Sequence, residues 1–166
     1  MTPEIQPPDH HHLLAAQGWL ELGNLCEAGL ELERIAPALN EHPAVLEVRW
    51  QIHAHAKQWE ECVALAATII RTDPTAAMGW IHRSYALHEL RRTAEARDGL
   101  LSVVGIFPDE PTIPYNLACY ECTLGHEVKA GEWLKKIFST EHAAEWKATA
   151  LEDLDLKPLW AVIPKL

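Results

Sequence analysis

The residues best suited to chemistry lie together in one short run: Cys119, Cys122 and, four residues on, His126. A Cys-x-x-Cys pair can bind a metal as two thiolates or cycle between dithiol and disulfide, with a nearby imidazole as a third ligand. On a helix the two cysteines, at i and i+3, are surface neighbours. Three features argue against a dedicated site. Zinc takes four ligands, His126 falls past a helix break, and no second cysteine pair exists; Cys26 and Cys62 stand alone. A thioredoxin-like dithiol would sit near a strand–helix–strand unit, and none is readable here. The plainer reading treats Cys119 and Cys122 as small apolar residues. No metal and no cofactor is expected; a metal- or redox-responsive role for Cys119 and Cys122 is the contrasting alternative.

Other catalytic chemistry is equally thin. The 8 glycines are scattered and none forms a phosphate-binding loop with Lys-Ser or Lys-Thr. Ser84, Ser102 and Ser139 lie outside any nucleophile-elbow pattern. Most carboxylates fall on outer helix faces, where a solvated surface explains them. An enzyme is therefore not expected. His10-His11-His12 reads as a solvated helix start rather than a metal tract.

The elements that carry these residues follow a period of 34. Ala28, Cys62, Ala96 and Ala130 are each 34 residues apart, as are Leu32, Ala66, Leu100 and Leu134. The same step joins Ile35, Ile69, Val103 and Ile137; Ala16, Trp50, Ser84 and Ala118; and Leu22, Ala56, Leu90 and Leu124. Each period reads as two helices: 10–22 and 25–39, 43–56 and 59–72, 77–90 and 93–106, 111–124 and 127–139. Pro74 and Pro108 close the second and third copies, since proline lacks the N–H and its ring clashes with the preceding turn. Gly125 suits a helix end that needs a left-handed residue. Small residues in the Ala16 and Ala28 columns let paired helices approach. Larger ones in the Leu32 and Ile35 columns fill the seam to the next hairpin, which stacking makes continuous.

The chain has 166 residues, 48% hydrophobic and 23% charged, as in an ordinary globular domain. Its 24 Asp and Glu against 14 Lys and Arg leave a formal charge of -10. Phosphate backbones and anionic lipid repel such a surface, so neither nucleic acid nor a membrane is expected as a partner. No apolar run approaches the roughly 20 residues of a membrane span. The start lacks the basic and apolar regions of a secretory signal, and four cysteines do not make a disulfide scaffold, so a cytoplasmic setting is expected. Residues 1–9, with three prolines, read as a flexible lead-in.

The pattern resembles the tetratricopeptide repeat (TPR) family over residues 10–142. Leu117-Ala118, Gly125 and Ala130 match its signature in the fourth copy, Trp80, Ala96 and Pro108 in the third, and Gly23 and Ala28 in the first. The resemblance implies an all-α solenoid: four helical hairpins in a right-handed superhelix, with residues 143–166 as capping helices. There are departures. Arg49 and Arg83 stand in a usually apolar column, and Trp50 where a small residue is usual. A wider packing and arginines lifted to the surface are expected there. In the tail, Trp146, Ala150 and Leu151, then Leu156, Leu159, Trp160 and Ile163, are expected to cover the end of the stack; self-association through this cap is the other reading.

The resemblance also implies a function: a scaffold or adaptor whose first helices line a concave groove that binds a peptide or helix of a partner protein. Carried over by phase, the groove holds Gln17, Glu47, Gln51, His55, Met78, Ile81, His82, Tyr85, His88, Glu89, Tyr115, Asn116, Cys119 and Cys122. The basic clamp that one class of the family uses on chaperone tails is absent: Leu13, Gln17, Met78 and His82 occupy its positions. A segment with apolar anchors, read by stacking and hydrogen bonds, is expected instead, with Tyr85 and Tyr115 as anchors. A small chaperone for a secreted or assembly-prone client is the alternative within the same class.

Overall fold

A computed structural model describes residues 4–166. Nine α-helices are described: α1 (Asp9–Glu21), α2 (Leu25–Glu33), α3 (Pro43–His55), α4 (Trp59–Thr72), α5 (Ala77–Glu89), α6 (Thr93–Leu101), α7 (Thr112–Thr123), α8 (Glu127–Phe138) and α9 (Ala143–Glu152). Short 3-10 segments span Pro37–Leu39, Leu154–Leu159 and Ile163–Lys165. Among the described residues there is no strand, and no helix is long and apolar enough to cross a membrane.

Two helices stop earlier than their periodicity suggests. α2 ends at Glu33 because Pro37 holds Ala36 extended (φ -53°, ψ 134°), and the chain turns again only as a 3-10 segment. α6 ends at Leu101, where the amides of Val103 and Ile106 bond three residues back rather than four. β-branched Val103 and Val104 followed by Gly105 favour that tightening.

The period of 34 reappears in the backbone. Gly23, Lys57, Arg91 and Gly125, each 34 residues from the next, all have positive φ, at 75°, 55°, 63° and 81°. At each, the left-handed residue's N–H bonds three residues back (Leu20, Ala54, His88, Cys122) and the next N–H bonds five back (Trp19, His53, Leu87, Glu121). This is one Schellman turn made four times. The second helix of the first pair is then capped by the side chain of Asn24, which accepts from the Glu27 amide.

The chain divides into two compact units, 1–86 and 87–166. In the first, Ala16, Ala28, Leu32, Ile35, Val45 and Val48 form a core between α1, α2 and α3. Ile5 belongs to it, only 8% exposed, so the lead-in contributes a buried side chain rather than lying loose as expected. The carboxylate of Asp9 accepts from the Ala36 amide at 2.8 Å and ties the start of α1 to the end of the first hairpin. In the second unit α7 packs against α8 and α6, α9 covers α8, and Leu154–Leu159 lies on α7. The small-residue columns are closed: Ala28, Cys62, Ala96 and Ala130 are fully buried. The Leu22 column is not a core column. It falls at helix C-caps, and Leu22 is exposed.

Candidate functional site

In the first unit the expected face residues come from α1, α3 and the first part of α5. Gln17 and His55 are exposed, Glu47 and Gln51 half-buried, and Met78 and Tyr85 are 46% and 43% exposed. Ile81 is buried. The polar centre is Glu47. Its carboxylate accepts from Gln51 Nε2 at 2.8 Å and lies 2.7 Å from His82 Nε2. Burial disfavours the charge on Glu47, but the hydrogen bonds and charge of His82 and the amide of Gln51 outweigh it and hold the carboxyl below its ordinary value.

His82 is positioned by Trp50. The two rings are parallel, 3° between planes and 3.7 Å between centroids. Trp50 stands in the small-residue column, and its ring is taken up in a parallel stack on His82 of α5. Tyr85 meets Trp50 and Trp59 edge-on at 6.3 and 5.8 Å. Close approach is kept elsewhere: a Cβ on Gly79 would lie 2.9 Å from Ile70 Cγ1 and 3.1 Å from its backbone nitrogen. Arg49 is half-buried and reaches Asn40 at 3.3 Å, so it lies alongside the chain rather than lifted clear of it.

The second unit differs. Tyr115, Cys119 and Cys122 are buried, with Tyr115 only 7% exposed; Asn116 is half-buried, His88 is buried and Glu89 exposed. What covers α7 is the chain's own segment after α9. The Tyr115 hydroxyl donates to Asp153 Oδ2 at 2.9 Å, and Cys119 Sγ donates to the same oxygen at 3.5 Å. His88 Nε2 lies 3.0 Å from Asp155 Oδ2, with Nδ1 3.0 Å from Thr93 Oγ1. Leu156 and Ile163 are fully buried, and Trp160 Nε1 donates to the carbonyls of Ala150 and Asp153, closing the turn out of α9. Trp146 sits against Tyr115 at 5.0 Å. Tyr115, expected as an open anchor, is thus corrected to a residue already engaged. Leu151, expected at the end of the stack, is 38% exposed.

The cysteines follow from this geometry. Burial pushes the Cys119 thiol well up, and the Asp153 carboxylate beside it adds to the shift; Cys122 moves the same way, chiefly by burial. Neither is poised as a thiolate. His126 turns away to Glu121, 2.6 Å from its carboxylate. Among the described residues no group of three or more His, Cys, Asp or Glu could hold a metal ion. Sequence reading missed one concavity altogether: a cleft of about 390 Å³ lined by Phe107, Pro108, Pro111, Trp133 and Trp146. In sequence Pro108 registers only as a helix stop and Pro111 only as a helix start.

Comparison with solved structures places this geometry in a known class. A thermophilic TPR protein of Thermus thermophilus matches over 95% of this chain and 100% of its own, at 20% identity and a TM-score of 0.67. MamA of MSR-1 matches over 79% of this chain and 75% of its own, at 19% identity and a TM-score of 0.64. A double mutant of MamA of RS-1 matches over 84% and 79%, at 12% identity and a TM-score of 0.70. No protein-family model and no curated protein matches the chain. The chain therefore has an all-α, TPR-type solenoid fold.

Proposed function

We propose that the protein is a non-enzymatic interaction module that binds a segment of a partner protein against the first-helix faces of its hairpins. The observation that carries this reading is the seat on α7. There Asp153 and the short 3-10 segment that follows it are held by buried leucine together with hydrogen bonds from Tyr115 and Cys119, the mixture by which a peptide is bound. In the first unit Met78 and Tyr85, the latter one period before Cys119, are exposed beside a polar pair, Glu47 and His82. A rigid aromatic surface with a few placed polar groups suits a partner with apolar anchors.

Photo-crosslinking tests the reading. A benzophenone side chain placed at Tyr85 in source cells is expected to capture a discrete partner band, while the same group at exposed Ala67 on α4 captures none. Capture at Ala67 and not at Tyr85 would move the site to the opposite helix layer.

A further inference from the structure

We propose that the α7 face of the second unit is a binding site for an acidic, leucine-bearing segment of the form Asp-x-Asp-Leu, and that the chain's own Asp153–Leu156 is its resident occupant. The inference rests on the reading of the protein as an interaction module and adds the chemistry of one site. The ligand is displayed by the chain itself. Asp153 meets two donors, Tyr115 and Cys119, from successive turns of α7. Asp155 faces His88, whose other nitrogen is set by Thr93. The Asp155 amide bonds Asp153 Oδ1 at 3.0 Å, so the two carboxylates are held in a local turn with one residue between them. Leu156 then drops into the core with no exposed surface.

Each donor is specific for an acceptor at its position. The phenol and the thiol, both kept protonated by burial, each donate to the one Asp153 oxygen, so a carboxylate at this place takes up both hydrogens at once. The protein as a whole is acidic, at -10, so its long-range field does not recruit this segment; the local donors do.

A covalently attached occupant competes at an effective concentration in the millimolar range. A partner carrying the same motif therefore binds weakly until the resident segment is loosened, and loosening it raises the apparent affinity by the fraction of time the seat is open. The Asp153→Ala/Asp155→Ala chain removes the two anchoring carboxylates while leaving His88, Tyr115 and Cys119 in place.

The probe is a fluorescent peptide of residues 150–164, followed by anisotropy. The double variant should bind it at least tenfold more tightly than wild type, and a peptide with both aspartates changed to alanine should bind neither. Equal binding to the two chains, or equal binding of the two peptides, would overturn the proposal. Should the variant lose its helical circular dichroism, the wild-type chain carries the test. With isotopically labelled chain and saturating unlabelled peptide, amide exchange across residues 153–163 must speed up; unchanged exchange overturns the proposal. A negative result here with crosslinking retained at Tyr85 would remove this site and leave the interaction reading standing.

Discussion

Trp50 and His82, 32 residues apart in sequence, stack in parallel at 3.7 Å, and the imidazole edge of that stack is what holds the Glu47 carboxylate. An aromatic in a column built for small side chains thus becomes the platform for a polar centre tied by two side-chain hydrogen bonds.

Glu47 has a folded pKa below its unfolded value. A carboxyl so shifted stabilises the fold above the unfolded value, near 4.5, and that contribution is lost as pH falls through the folded one. Glu47→Gln should therefore destabilise by about 1 kcal/mol at pH 7. The gap between wild type and variant should close as the pH is lowered from 5 to 3. Urea denaturation across that range measures it; a gap that is independent of pH would mean that His82 does not hold the charge.

Trp50 is 8% exposed and its indole N–H has no hydrogen-bond partner. Trp50→Ala should lose about 3–5 kcal/mol, since it removes a stacked, buried ring. Trp50→Phe keeps an aromatic face for His82 and leaves no unpaired N–H, so it should lose about 1.5 kcal/mol or less. Thermal unfolding of the two variants side by side separates packing from hydrogen bonding.

The four Schellman turns are filled unequally, by Gly23 and Gly125 but also by Lys57 and Arg91. A side-chain-bearing residue in the left-handed region is strained by about 1 kcal/mol, and the extra freedom of glycine in the unfolded chain offsets part of that. Lys57→Gly and Arg91→Gly should each stabilise by about 0.5 kcal/mol, and Gly125→Ala should destabilise by about 1 kcal/mol. Chemical denaturation midpoints will show opposite signs for the two kinds of change.

What was readable from sequence divides along a physical line. The period of 34 and the small columns at Ala28 and Ala96 reported the hairpins closely, because helix pairing is local and repeats its steric demands. The early stop of α2 was also available in principle, through Pro37 and its effect on Ala36. Two features were not. The Trp50–His82 stack joins two helices, and nothing in either helix's own periodicity names the other. Leu156, Leu159 and Ile163 were legible as residues that must be buried, but periodicity says that a face is covered without saying by what. Hence the sequence places the tail on the end of the stack without naming the contacts by which its aspartates reach α7 and His88.

Gly79 carries a similar lesson in the opposite sense. Alanine is the better helix former by about 1 kcal/mol, so propensity alone predicts that Gly79→Ala stabilises α5. The new methyl would press on Ile70, including its backbone nitrogen at 3.1 Å, which a side-chain rotation cannot relieve. Overpacking of this kind costs about 1–3 kcal/mol, so net destabilisation is expected. A rise in melting temperature would show that α4 and α5 separate more readily than the contact implies.

The thiols give the last test, and it bears on the redox alternative. Cys26 is exposed, whereas Cys62, Cys119 and Cys122 are buried. Burial pushes the Cys62 thiol up to about 11, and it pushes Cys119 and Cys122 up as well. The thiolate is the reactive form, so only Cys26 should react quickly with an aromatic disulfide reagent at pH 8 in the native protein. All four should react in denaturant. The Asp153→Ala/Asp155→Ala chain should add Cys119 to the reactive set, because loosening Asp153 both uncovers the thiol and removes the charge that disfavours its ionisation. Rapid reaction of Cys119 and Cys122 together in the wild-type protein would instead point back to a working dithiol.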